Sequence, residues 1–301
     1  MKEDAVAPVV AVMLILAVIV TFFAAWNAYF VPSMKEQSEI THVRQVEAGF
    51  LKFSSDIETA ASLKKKIRFS ESIPLGGGDF TFDPVKSGGF LRIQREDKGY
   101  MLVDVVNDST KRPSNALRMV NFTYQPVNNF WQDQGYVWSF GNVNVTKGSL
   151  STPLQYASME EVPYGITETL FDIETTPWVN DSAVCSRVEI QVVNLTPDSL
   201  HTSASGNGNA QLALESSVER INYPNTTQVN VTLYRHLPKG FRDALFESVN
   251  QSLNEVSCSN MHVTYRSELT GIVDPEIGIE FNAIPNLTMN RKITGIVMRA
   301  D

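Results

Sequence analysis

The chain opens on a block where polar and apolar positions do not alternate at all. From Ala5 through Met34 no side chain is charged, and from Ala5 to Phe30 the residues are overwhelmingly apolar. A helix over 5–30 would run about 39 Å at 1.5 Å per residue, against a hydrocarbon core of about 30 Å. A secretory signal needs an apolar stretch of only about 7–15 residues closed by a small-x-small site. No alanine near Trp26 completes such a site. Trp26, Asn27, Tyr29 and Phe30 stand at the far end, where amphipathic rings favour the headgroup layer. Pro32 follows, at a place where a break in a helix costs least. The pattern predicts a transmembrane helix, or the core-forming helix of an assembly, over 5–33 that stays in the finished protein.

A second pattern begins after Pro32. Val43, Val46, Phe50, Phe53, Ile57 and Ala60 recur at spacings of three and four, the seam of an amphipathic helix. Glu39, Arg44, Gln45, Glu47, Lys52, Asp56 and Glu58 lie between them as a solvated face. The spacing predicts a helical stalk over 34–66, ending near Lys66 and forming with the first segment a rod of about 90 Å, bent at Pro32. Such a seam must be buried, either on the chain's own C-terminal domain or on identical helices of neighbours.

From residue 67 the period drops to two. Strands are predicted over 67–74, 90–95, 100–106, 119–125, 136–140, 143–147 and 167–173. Further strands are predicted over 188–193, 210–221, 229–235, 262–266, 277–283 and 293–298. LGGGD at 75–79 and SGNGNA at 205–210 read as loops or tight turns. One helix interrupts, over 238–256, with Phe241, Leu245, Val249 and Leu253 on one face. The predicted fold is α+β: a long N-terminal helix, then a mostly antiparallel β-sandwich-like domain over 67–301 with one inserted helix, built as one unit or two packed subdomains.

Charge and composition narrow the class. The formal net charge is -8, whereas a nucleic-acid binder presents a basic face. Lys64, Lys65, Lys66 and Arg68 form the one basic cluster, placed where cations favour a helix C-terminus. Lys2 on one side of the apolar block and Lys35 and Arg44 on the other leave the positive-inside comparison undecided. Asparagine decides it instead. Nine N-x-S/T triplets occur, at Asn107, Asn121, Asn144, Asn180, Asn194, Asn225, Asn230, Asn250 and Asn286, among 21 asparagines in a chain about 16 % Ser and Thr. Chance gives roughly three. Such triplets accept sugar on surfaces of exported proteins, although Pro197 soon after Asn194 makes that triplet the weakest. The excess puts residues 67–301 outside the cell and the first residues inside. Cys185 and Cys258 are the two cysteines. Bridged, they would close a loop worth about 4 kcal/mol in the chain-entropy model; two free buried thiols are the alternative.

Chemistry-bearing patterns are sparse. His42, His201, His236 and His262 have no metal-ligand spacing, and neither a G-x-S-x-G, a P-loop nor an H-E-x-x-H occurs. DPEIGIE at 274–280 and FDIE at 171–174 offer carboxylates without the regular alternation of a calcium loop. No catalytic, metal or cofactor-binding residues are expected, and the chain is not expected to be an enzyme.

The opening DAVAPVVAVMLILAVIV resembles the start of archaeal type IV pilin-like proteins, which read A-V-S-P-V-I-G-V-I-L-M after a short charged leader. Ala7 and Ala11 stand where that family has Ser and Gly. The resemblance implies that residues 1–4 are a leader, cut between Asp4 and Ala5 by a prepilin peptidase, so that Val6, Pro8, Val9 and Val10 begin the mature helix. It implies partners as well: the lipid bilayer first, then copies of this chain or other pilin-like subunits through residues 5–60. SIPLGGGDFTF and NNFWQDQGYVWSFGNV are similar to segments of archaeal surface proteins that join this N-terminus to a large β domain. The expected role is a membrane-anchored pilin-like structural subunit displaying a glycosylated β domain for adhesion or contact. A monomeric anchored binding module of the cell envelope is the alternative, and an anchored extracellular hydrolase a third reading.

Overall fold

The computed structural model describes residues 6–77, 87–107, 110–112, 115–129, 133–154, 165–178, 181–256, 258–266, 274–282 and 287–301. One uninterrupted helical rod leads the chain: α1 (Val6–Ala25), a π-helical turn (Trp26–Phe30) and α2 (Val31–Leu63). From Pro8 to Leu63 it has 56 residues, about 84 Å. The π-turn has a local cause. Pro32 has no N–H to donate and its ring crowds the carbonyl four residues back. One residue earlier, Val31 N–H reaches back to Trp26 O, one position beyond the α-helical partner, and the widened turn takes up the mismatch.

The rod stops three residues before the expected Lys66. Lys64 takes a left-handed conformation (φ 47°), and the chain is then captured by a strand. Ile67 N–H donates to Ser216 Oγ at 2.9 Å, and Ser216 N–H donates to Ile67 O at 2.9 Å.

Fifteen strands and two further helices are defined among the described residues. The first eight strands are β1 (Arg68–Pro74), β2 (Gly88–Arg95), β3 (Met101–Asn107), β4 (Thr110–Arg112), β5 (Val120–Val127), β6 (Gly135–Ser139), β7 (Asn142–Lys147) and β8 (Leu150–Pro153). A short helix, α3 (Thr167–Leu170), precedes β9 (Phe171–Trp178), β10 (Asp181–Gly206), β11 (Asn209–Pro224) and β12 (Thr226–Leu233). Helix α4 (Lys239–Asn254) is followed by β13 (Met261–Arg266), β14 (Glu276–Phe281) and β15 (Thr288–Ala300).

Two sheets result. The larger has ten strands in the order β1-β11-β15-β10-β2-β5-β6-β7-β8, with β9 also paired to β10. The smaller runs β13-β14-β12-β3-β4. Pairing is antiparallel except between β10 and β15, which run parallel. The expected α+β class with a mostly antiparallel β domain is therefore what the chain adopts. Three sequence expectations need correction. Residues 167–170 form a helical turn, not the start of a strand, because Thr167 and Leu170 are both buried and Ser248 Oγ of α4 donates to Thr167 O at 3.1 Å; packing overrides β-propensity there. The domain thus carries two helices, not one. The strand expected over 188–193 is 26 residues long; its second half is polar and broken in register between Pro197 and Thr202, which hides it from a period-two search.

One face of the smaller sheet buries Val103, Val105, Val229, Val231, Ile277 and Ile279. Cross-links bind it to the larger sheet: Tyr100 Oη donates to Val193 O at 2.5 Å, and an Arg291 guanidinium N–H to Val103 O at 3.1 Å. The buried apolar residues form a single cluster spanning α2, both sheets and α4.

Candidate functional site: an exposed apolar rod on an aromatic cradle

The rod divides into two halves with opposite surroundings. Val12, Met13, Leu14, Ile15, Leu16 and Val18 are each at least 60 % exposed, and the most apolar 18-residue window has none of its residues buried. By length and composition this half can cross a membrane once. Two of its polar side chains bond back to the helix itself. Thr21 Oγ1 donates to Ala17 O at 2.9 Å, and Asn27 Nδ2 to Phe23 O at 3.0 Å. Each of these two bonds lowers the cost of carrying the group into hydrocarbon, where an unpaired polar group costs several kcal/mol.

The other half is seated in the β domain. Register places Leu91, Tyr124 and Tyr136 in one row across β2, β5 and β6, and Ile93, Phe122 and Trp138 in the next. These rows face the seam of α2. Phe50 lies 4.9 Å from the Phe122 ring centroid and 5.7 Å from Tyr136, while Phe53 meets Phe122 edge-on at 5.3 Å. Phe122 stacks on Trp138 at 5.2 Å. Polar tips lock the register: Trp138 Nε1 donates to Ser54 Oγ at 2.9 Å, and the Tyr136 hydroxyl to Glu47 Oε2 at 3.0 Å. Burial, helped by the Glu47 carboxylate, raises the Tyr136 hydroxyl well above the ordinary phenol range. The seam residues Val43 through Ala60 are thus covered by the chain's own sheet. NNFWQDQGYVWSFGNV supplies this cradle through Tyr136 and Trp138, and its Phe140 packs on Phe241 of α4 at 4.9 Å.

Glu39 departs from expectation, being buried at 5 % exposure and not on the solvated face. Beside it is a residue that sequence reasoning passed over. His42 is 3 % exposed, with Nε2 2.8 Å from the Tyr124 hydroxyl, which in turn donates to Leu75 O at 3.2 Å. Its Nδ1 is buried without a partner. This pattern fits a neutral ring protonated on Nε2, and burial lowers its pKa against an opposing pull from Glu39. The signal was present: Glu39, His42, Val46 and Phe50 continue the three-four spacing backwards. Gly77 closes the roof, since a Cβ there would lie 2.6 Å from the His42 side chain. This is one reason for glycine in LGGGD.

The other sequence candidates are scattered. Cys185 and Cys258 are bridged, with Cα atoms 5.6 Å apart, so the free-thiol alternative falls. Asn260 backs the bridge, accepting from Cys185 N–H at 2.9 Å and donating to Cys185 O at 3.1 Å. Lys64 pairs with Asp172 at 2.9 Å, which ties the end of α2 to β9. Glu174 Oε1 accepts from Gln191 Nε2 at 2.6 Å, and Asp274 Oδ1 from Arg235 N–H at 2.9 Å. The acids of FDIE and DPEIGIE therefore serve pairing and turn formation. No group of three His, Cys, Asp or Glu that could hold a metal occurs among the described residues.

Asp4, Ala5, Asn180 and Asn286 lie outside the described residues. Asn121 Nδ2 donates to Glu96 Oε1, Asn194 Oδ1 accepts from Arg118 N–H, and Asn230 Oδ1 accepts from Gln228 Nε2, each at 2.8 Å. Asn250 Oδ1 accepts from the Tyr265 hydroxyl. Asn144 is half-buried on β7, Asn107 is buried and Asn225 is exposed. Away from α2, an open groove of about 490 Å³ crosses β1, β11 and β15, lined by Lys66, Arg68, Asp198, Glu215, Val297 and Arg299. Comparison with known proteins finds no family model, no curated protein and no solved structure that matches the chain.

Proposed function

We propose that the chain is a membrane-anchored, pilin-like structural subunit without enzymatic activity, inserted N-terminus inward, with its β domain outside the cell. The carrying observation is the rod: a bare apolar half continuous, without a loop, with a half locked by aromatic packing into the domain. A simple tether needs no such stiffness. Packing of many copies through their apolar helices needs it, because the position of each domain is then set by the rod. A chargeless helix can also pass from lipid to a protein-lined core without moving a charge, which in a membrane centre costs several kcal/mol. Small residues at Ala11, Ala17, Ala24 and Ala25 let helices approach closely. The disulfide supports an oxidising exterior, as does the excess of N-x-S/T triplets. Because the seam from Val43 to Ala60 is covered by the domain itself, self-association would use the apolar half and not the stalk seam.

Mass spectrometry of the mature N-terminus, together with shearing of intact cells, tests the proposal. Ala5 at the N-terminus and the protein in sheared filaments are expected. Met1 or Lys2 at the N-terminus, with all protein retained in detergent-extracted membranes, would favour the second reading, a monomeric anchored binding module. The groove lined by Arg68, Val297 and Arg299 is the observation on that side.

A further inference from the structure

By sequence the nine N-x-S/T triplets are near-equivalent, but the fold sets two of them in opposed roles at one corner. The corner is the link between β11 and β12, where Asn225 stands between Pro224 and Thr226. Asn225 is exposed, has a left-handed backbone (φ 54°), and its side chain makes no hydrogen bond among the described residues. Asparagine is among the few residues other than glycine that accept this conformation readily. Everything around it is pinned. Thr226 Oγ1 donates to Tyr223 O at 3.0 Å, and Thr227 Oγ1 to Val106 O at 3.3 Å. The third pin is itself a triplet asparagine: Asn107 Nδ2, from β3, donates to Pro224 O at 2.6 Å. Asn107 is 9 % exposed and its Oδ1 is buried. Glycosylation replaces one of the two Nδ2 hydrogens, and with the other held on Pro224 O and Oδ1 buried, a sugar there would have to force the packed corner open.

We infer that Asn225 is a glycan acceptor, displayed on a turn that Asn107 clamps, and that Asn107 carries no sugar. This rests on the exterior placement proposed above. The acceptor chemistry is N-glycosylation from a polyprenyl-phosphate-linked oligosaccharide. Asn225 Nδ2 forms a bond to the sugar C1, the C1–O bond to phosphate breaks, the phosphorylated lipid departs with the bonding pair, and the amide gives up one proton. The exposed Asn225 amide can be reached in the folded turn, whereas that of Asn107 cannot.

The test uses full-length protein purified from the membranes of cells that make it, with glycopeptides mapped by electron-transfer fragmentation so that Asn225 and Asn230 are separated. Alongside it, intact cells are treated with protease. Sugar at Asn225 and a bare Asn107 are expected. Asn225→Gly, which keeps the left-handed turn open, should lose one glycan mass with unchanged melting, and Asn107→Gln should melt lower with unchanged mass. Sugar on Asn107, or a bare Asn225 with sugar at other triplets, overturns the inference alone. Complete absence of sugar on a domain open to external protease overturns it while leaving the exterior placement standing. A domain shielded from protease overturns both.

Discussion

At the scale of single residues, the junction between rod and domain depends on a few buried side chains. His42 is buried with Nδ1 lacking a hydrogen-bond partner, and burial outweighs the opposing pull of Glu39, so its folded pKa lies below the ordinary histidine value. In the window between that depressed value and about 6.5 the unfolded chain binds more protons than the folded one, and stability then falls as pH falls. Thermal unfolding in detergent should give a lower midpoint at pH 5 than at pH 7.5, and His42→Gln should flatten the difference. An unchanged slope in that variant would assign the acid sensitivity elsewhere. Phe50 touches both Phe122 and Tyr136 at full burial. Phe50→Ala should cost about 3–5 kcal/mol, read from denaturant unfolding.

Among elements, the disulfide joins the start of β10 to the turn before β13, 73 residues apart in sequence. Cys185→Ser with Cys258→Ser should lower stability by about 2–4 kcal/mol, and adding reductant to the parent protein should reproduce the loss. The Asn260 hydrogen bonds on the same corner should survive and keep the fold. Most elements were legible because their burial is one-sided: the seam of α2, the Phe241–Leu253 face of α4 and the period-two strands. What escaped did so for physical reasons. β10 continues through residues with no apolar alternation, held by backbone pairing to β2 and β15. α3 owes its turn to contacts with α4 that no local pattern contains. Glu39 and His42 are polar residues in an apolar stripe, and only the neighbouring sheet and the Gly77 approach determine that they are inside. Of the candidate site, the exposed rod could be read directly, but the aromatic cradle required knowing that β5 and β6 are neighbours under α2.

For the whole molecule, the bare half of the rod sets where the protein can reside. Leu16→Lys puts a charge near the middle of the apolar segment, at about 2.5–3.5 kcal/mol against insertion. Fractionation should show less protein in membranes and less in sheared material, while the β domain, remote from the change, keeps its melting temperature. β15 raises a different matter. The last strand in chain order lies between β10 and β11 and pairs with both along its length, so β10 and β11 lack their shared partner until residues 288–300 arrive. A chain threaded through a translocon with its anchor leading would therefore emerge with the large sheet unclosed, and could complete it only once residues 288–300 had cleared the channel. Late closure is thus a consequence of strand order, and for a domain exported as proposed, any chaperone on the far side would have to shield those two open edges until β15 arrives.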